Sequence, residues 1–396
     1  MKKLGLLLLV MLLMTSLVVV GCGQGETGEQ TDKSQEPAQS SDKEEFKTVK
    51  LGVIQPITGA IAYGGQAAAN GHKLAVKEIN ESGGITVNGE KYKIELLIED
   101  SKGVPKESAA ATTKLIFNDN VPLIMGDFTS SSTFASAEIA NREGVPIFSP
   151  LSSSAKLTTS GFEYFFRGRV TTHNNLDGAA KFFADLGHKK IAMLAINDDW
   201  GRGDTTLFPP AWEKLGVEVT VIEYFDQGQT DFYPVLSKIA DTKPDAIFVT
   251  ASTEPASLIF KQAREVAPEL DLLTSGGIDP VKTLELAGDA AEGIWFWSVD
   301  GPATPAIKEF DKKYEEEFGI PSMSNAKSGY DVAQIVAIAL EKAGTVTDSK
   351  KIRDALAETE YDGYMGHYNF DETGDSFLKM NFGKFENGSF TITKGE

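Results

Sequence analysis

Three observations predict an α/β fold built as two doubly wound parallel-sheet lobes. From Lys50 onward, short runs rich in branched apolar residues alternate with longer amphipathic segments, the order of strand and crossover helix in a parallel sheet. The alternation stops near Phe165-Phe-Arg-Gly-Arg169 and starts again at Asn174. The chain is 396 residues long, more than one hydrophobic core normally sustains.

Lys50 to Ile54 reads as the first strand. Gly65 to Ser82 places Ala68, Gly71, Leu74, Ala75 and Ile79 at helical spacing, and Gly83-Gly84 ends the helix. Strand-like runs follow at Lys93 to Glu99, Pro122 to Met125, Val145 to Phe148, Lys190 to Ile196, Val217 to Tyr224, Asp245 to Val249 and Ile294 to Val299, with helical segments between them. A second boundary falls near Trp297 to Pro305. Beyond it come two amphipathic segments, Thr304 to Phe318 and Asn325 to Ala343, and a β-rich tail holding Met365 to Asp371 and Lys379 to Thr393. Two lobes joined by several crossings enclose a central cleft.

Ahead of this body, Met1 to Gly21 has the layout of a secretory signal: Lys2 and Lys3, then an apolar run from Leu4 to Val20. Val19-Val20-Gly21-Cys22 resembles a bacterial lipobox, which makes Cys22 the lipidated first residue of the mature chain and puts the body outside the cytoplasmic membrane. Gly23 to Glu45 carries no hydrophobic residue larger than alanine and reads as a disordered tether. Cys22 is the only cysteine, so the folded part has neither a disulfide nor a thiol nucleophile. The formal net charge of −19 argues against a nucleic-acid partner.

The motifs for chemistry are sparse. His72, His173, His188 and His367 are isolated, and no metal-ligand spacing, nucleophile elbow or phosphate loop is present, so no metal, cofactor or catalytic group is expected. The informative segment is Gly126-Asp-Phe-Thr-Ser-Ser-Ser-Thr133, which follows a strand and opens a helix. Hydroxyls and unsatisfied N–H groups at a helix start suit an anion, and simple capping explains only one of the five. The next strand ends in a second hydroxyl cluster, Ser149-Pro-Leu-Ser-Ser-Ser154. Both clusters fall at carboxyl ends of strands, where open α/β sheets bind ligands. With no lysine in either, a carboxylate suits them better than a phosphate.

The sequence of Gly126 to Thr133, Gly144-Val-Pro-Ile-Phe-Ser-Pro150, Leu157-Thr158 and Tyr164-Phe-Phe-Arg167 resembles the leucine/isoleucine/valine-binding protein family of transporter receptors. Ile196-Asn-Asp-Asp-Trp-Gly201, Gln262-Ala-Arg264 and Ala287-Gly-Asp-Ala-Ala-Glu-Gly293 extend the likeness over nearly all of Val49 to Thr393. The resemblance implies a type I periplasmic-binding fold with three hinge crossings, here near Arg167 to Val170, Trp297 to Gly301 and Tyr361 to His367. It divides the chain into a signal at 1–21, a tether at 22–45, an N-terminal lobe at 46–168 plus 300–362, and a C-terminal lobe at 169–299 plus 363–396.

It also implies a monomeric receptor for an amino acid, with an ABC permease and ATPase as partners. By position, Ser130, Ser152 and Ser153 match the groups that hold the ligand carboxylate, and Tyr63 and Trp200 line the side-chain pocket. Two departures stand out. The family's tyrosine falls near Ser252, and its acidic ammonium ligand falls on Gly276, leaving Glu254 and Asp279 as the nearest acids. A solute receptor for import is therefore expected, first for branched-chain or other apolar amino acids and second for a carboxylate or amide without an amino group. A sensor lobe of the same fold is a further alternative, against which the absence of any second membrane segment or cytoplasmic domain in the sequence counts, and a hydrolase using Ser130 would need a base that neither hydroxyl cluster has beside it in sequence.

Overall fold

The structure is a computed structural model that describes residues 46–394. The signal, Cys22 and the whole tether lie outside the described residues. Strand β1 (Lys47–Gln55) is exposed at its start and buried from Leu51 onward, because it runs down the middle of the first sheet. Helix α1 (Ala62–Glu81) follows, then an antiparallel pair β2 (Ile85–Val87) and β3 (Glu90–Asp100). Helix α2 (Pro105–Phe117) starts with a proline, whose missing N–H is an orphan at that position anyway. Next come β4 (Ile124–Gly126), α3 (Ser130–Glu143), β5 (Ile147–Ser149), α4 (Lys156–Thr159) and β6 (Phe165–Arg167). The strand order is β2-β3-β1-β4-β5-β6, parallel except for β2.

The second sheet is built from α5 (Thr172–Asp185), β7 (Lys190–Ile196), α6 (Asp199–Lys214), β8 (Glu218–Phe225), α7 (Tyr233–Asp241), β9 (Ala246–Thr250), α8 (Thr253–Val266), β10 (Asp271–Thr274), α9 (Pro280–Ala287) and β11 (Trp295–Ser298). Every residue of β9 is buried, as expected for a central parallel strand covered on both faces. Helices α10 (Pro305–Phe318), α11 (Ser324–Ala343) and α12 (Ser349–Ala357) then return to the first sheet's side, with α11 lying along α1.

A hairpin of β12 (Tyr361–Gly363) and β13 (Gly366–Tyr368) hangs from α11 through Asp331, whose carboxylate accepts from Tyr364 N at 3.0 Å, Met365 N at 2.9 Å and Tyr368 Oη at 3.2 Å. Strands β14 (Asn381–Glu386) and β15 (Ser389–Lys394) finish the second sheet, in the order β15-β14-β11-β10-β9-β7-β8.

The chain thus passes between the two sheets after β6, after β11 and before β14. At the first passage Arg167 is fully buried: Nε donates to Asp375 Oδ1 at 2.8 Å, Nη1 to Ser154 O at 2.7 Å, and Nη2 to Thr158 Oγ1 at 3.2 Å and to Asp375 Oδ2. The parallel α/β expectation holds, and the long helices lie where the periodicity puts them. Strands β2, β6 and β10 are additions. Each has only three or four residues, too few to show an alternation, and β6 falls inside the segment read as a break between lobes.

Candidate functional site

A cavity of ≈ 300 Å³ lies between the two sheets, within the size range of a small-molecule site. Its walls are the segments that leave the carboxyl ends of strands. From the first sheet come Ile61 after β1, Phe128 to Ser130 after β4, and Leu151 and Ser153 after β5. From the second come Asp198 and Trp200 after β7, Ser252 and Glu254 after β9, and Gly276 and Gly277 after β10, with Trp297 in β11 itself. Phe225 at the end of β8 with Gln227 to Thr230 after it, Arg169 from the first crossing, and Asn325 at the start of α11 also line it.

The first wall begins at Gly126. Its φ is +148°, and a Cβ there would stand 2.3 Å from the Ile54 carbonyl, so only glycine lets β4 turn here against β1. Thr129 caps α3 by accepting from Ser132 N at 3.2 Å. The hydroxyls that follow divide their work. Ser130 Oγ accepts from Ser154 N at 3.1 Å, which leaves its O–H for the cavity. Ser131 Oγ reaches the other wall, accepting from Asp199 N at 2.9 Å and donating to Asp199 Oδ2 at 3.1 Å. Thr133 Oγ1 bonds Ser152 Oγ, and Ser152 Oγ also donates to the Phe128 carbonyl at 3.2 Å.

On the second wall Asp198 caps α6, accepting from Trp200 N and Gly201 N at 2.9 Å each. Burial pushes its pKa up to about 6 despite those bonds. Burial likewise raises the pKa of Glu254 above the ordinary carboxylate value. Two indoles pack against the Gly276-Gly277 pair: a Cβ at Gly276 would meet the Trp297 ring at 2.1 Å, and one at Gly277 the Trp200 ring at 2.2 Å. Besides Ser131 and Asp199, the walls are bridged by Lys156 Nζ at 3.6 Å from Asp199 Oδ1, and by Gln227 Nε2 donating to Lys102 O at 3.3 Å.

Of the residues expected from the sequence, Ser130, Ser153, Trp200, Ser252 and Glu254 line this cavity together. Three do not. Ser152 lies behind the wall, its hydroxyl tied to Thr133 and Phe128, so it braces the loop. Asp279 is buried as the cap of α9, its Oδ1 accepting from Lys282 N at 2.6 Å, and is spent on the helix start. Tyr63 sits outside the cavity with the Lys282 ammonium 5.4 Å from its ring centre.

Sequence reasoning missed Arg169, Asp198, Phe128 and Trp297. Two signals were available: arginines at 167 and 169 in one crossing, and a Gly-Gly pair after a strand, a place for bulky side chains to approach the backbone.

The periplasmic binding protein family has a sequence profile that matches residues 48–388. This chain belongs to that family. It is 28% identical over 336 residues to the leucine-, isoleucine-, valine-, threonine- and alanine-binding protein of Pseudomonas aeruginosa, covering 83% of this chain and 87% of the relative. The branched-chain amino acid transporter substrate binding protein of Streptococcus pneumoniae, solved with isoleucine, superposes with a TM-score of 0.77 at 26% identity over 88% of this chain and 99% of that one. A Rhodopseudomonas palustris ABC-transporter solute binding protein solved with 3,4-dihydroxybenzoic acid also gives 0.77 at 26% identity, over 88% and 98% of the two chains. The type I periplasmic-binding fold expected from the sequence is the fold of this protein.

Proposed function

We propose that this periplasmic binding protein is the extracytoplasmic receptor of an ABC importer, binding one small apolar solute with a carboxylate and catalysing nothing. The observation that carries the reading is the cavity itself. It is enclosed by the carboxyl ends of both sheets, presents a mostly apolar surface from aromatic and aliphatic side chains, and sets polar side chains among them, including the free Ser130 hydroxyl. Ser130 and Ser153, at the start of α3 and in the neighbouring loop, supply hydrogen bonds to the carboxylate. The names of the relatives put branched-chain and other small apolar amino acids first. Glu254 and Asp198 are the acids left to meet an ammonium, since Asp279 is committed to its helix. A carboxylate lacking the amino group is the second reading, favoured by the Trp297 ring occupying the space that an acid at 276 would need.

On this reading the lobes, 46–168 with the chain from 300 through the β12–β13 hairpin that Asp331 holds to α11, and 169–299 with β14 and β15, move about the three crossings. The last crossing comes after the hairpin and not at 362–363 as expected from the sequence, and the Ser131–Asp199 bridge belongs to the closed form. Denaturing the protein as purified from its host and identifying the released small molecule by mass spectrometry tests the reading. An apolar carboxylate in stoichiometric amount, which lowers the radius of gyration when added back, is the expected result. Turnover of that molecule into a product overturns it. Cys22 is proposed as the lipidated anchor; Cys22→Ser is expected to free the protein from membranes with solute affinity unchanged.

A further inference from the structure

One end of the cavity holds a positive charge that neither serine accounts for. Arg169 follows β6 and is 8% exposed. Its Nη2 donates to the Gly276 carbonyl at 3.1 Å, but Nε and Nη1, both buried, have no partner in the protein. The carboxylate that acts on it most strongly, Asp300, is held by Lys327 at 3.2 Å, and the Tyr368 hydroxyl beside it donates to Asp331. Trp297, which lines the same cavity and lies against Gly276, also has a buried Nε1 without a partner. Burial lowers the Arg169 pKa only to about 10, so the group is a cation at neutral pH.

A guanidinium with unpaired donors in a closed site is costly, and buried polar groups in folded proteins nearly always find partners. An arriving solute can supply one. An ammonium cannot, because it offers donors to donors and a like charge to a cation in a low-dielectric cavity. Nor can an acid be introduced beside it at 276, where the indole ring leaves no room for a side chain. The Arg169 donors and the Trp297 N–H are buried donors at this end that ask for oxygen acceptors.

We infer that Arg169 is an anion-binding, specificity-determining residue of the cleft, and that the solute is a carboxylic acid with no ammonium group, presenting oxygen acceptors to the end marked by Gly276 and Trp297. The inference rests on the receptor reading and selects the class of solute within it. The indole faces and the apolar wall suit a branched or aromatic body.

Calorimetric titration of the intact protein, stripped of copurified solute, with leucine and with its 2-oxo analogue 4-methyl-2-oxopentanoate tests it, in wild type, Arg169→Gln and Arg169→Lys. The oxo acid is expected to bind at least about tenfold tighter than leucine, and Arg169→Gln to lose about tenfold or more for the oxo acid with little change for leucine. Arg169→Lys, which keeps the charge, is expected to retain most of the preference.

Leucine binding as tightly as the oxo acid or tighter, equal losses for both in Arg169→Gln, or no binding of either probe overturns the inference. If Arg169→Gln fails to fold, as judged by thermal melting, the wild-type preference and Arg169→Lys decide. The receptor reading is judged separately by the copurified solute, so an amino acid released from the native protein ends this inference and leaves the receptor standing.

Discussion

Arg167 and Arg169 are two residues apart in one crossing, both are buried, and the protein treats them in opposite ways. Around Arg167 the fold brings the Asp375 carboxylate, the Ser154 carbonyl and the Thr158 hydroxyl, so its donors are spent inside the protein. Around Arg169 it brings one carbonyl and leaves Nε and Nη1 unpaired against the cavity. A buried charge with a full set of partners holds the structure together, and one without them marks where something else must bind. The same division runs through the serines of the first wall, where Ser152 is tied to its neighbours and Ser130 keeps a free O–H.

The sharpest way to break this contrast is to replace each arginine with methionine and measure urea unfolding without solute. Arg167→Met leaves Asp375 buried with only the Asn174 amide at 3.1 Å, and is expected to cost about 3–5 kcal/mol. Arg169→Met removes a charge that the protein itself barely pairs, and its unfolding midpoint is expected to hold or rise. Equal losses in the two variants would erase the distinction.

The serine pair gives a smaller effect. Ser130→Ala is expected to weaken solute binding roughly ten- to a hundredfold with little change in melting, through loss of a hydrogen bond to an anion. Ser152→Ala is expected to lower the melting temperature more than the affinity, because it unpairs Thr133 and the Phe128 carbonyl.

A third test uses a buried acid outside the cavity. Asp204 is buried beneath the second wall, accepts from Thr250 Oγ1 at 3.1 Å, and burial pushes its pKa up to about 7 from 3.8. A carboxyl that holds its proton more tightly when folded contributes stability at pH below about 4, and that contribution is lost as pH rises through about 7. Asp204→Asn is therefore expected to raise the melting temperature relative to wild type at pH 8 and to lose that advantage at pH 4. His72, whose pKa burial lowers to about 4 from 6.5, works with the opposite sign: its contribution is present above pH 6.5 and lost as pH falls through 4. An Asp204→Asn advantage that does not vary with pH would show that burial does not govern this group.

The smallest effect is expected at the bridge between the walls. Asp199→Ala loses the Ser131 Oγ bond to Asp199 Oδ2 and the ion pair to Lys156, part-buried contacts that together are worth a few-fold in affinity, while the backbone N–H of residue 199 keeps its bond to Ser131. Scattering with solute present should show whether compaction persists, as the reading expects.

Much of this molecule was legible before its coordinates. The apolar runs of β1, β7 and β9 and the helical spacing in α1 and α11 are long enough to carry their periods, so the parallel α/β plan follows from the residues themselves. The hydroxyl cluster at 129–133 marked the right loop, but which hydroxyl faces the cavity could not be read there. Five adjacent hydroxyls on a turn and a helix start point in different directions, and the partners that tie down Ser131 and Thr133 come from Asp199 and Ser152, far away in the chain.

By itself the sequence determined the long helices and the longer strands, the α/β class and the two neighbouring strand-end loops of the first wall, because these depend on periodicity and on residues near one another. Only the tertiary structure decided which polar groups are free. Satisfaction of a buried group depends on what the fold brings within hydrogen-bond reach from distant segments, and for Arg167 that is Asp375, whereas for Arg169 it is little more than the carbonyl of a glycine.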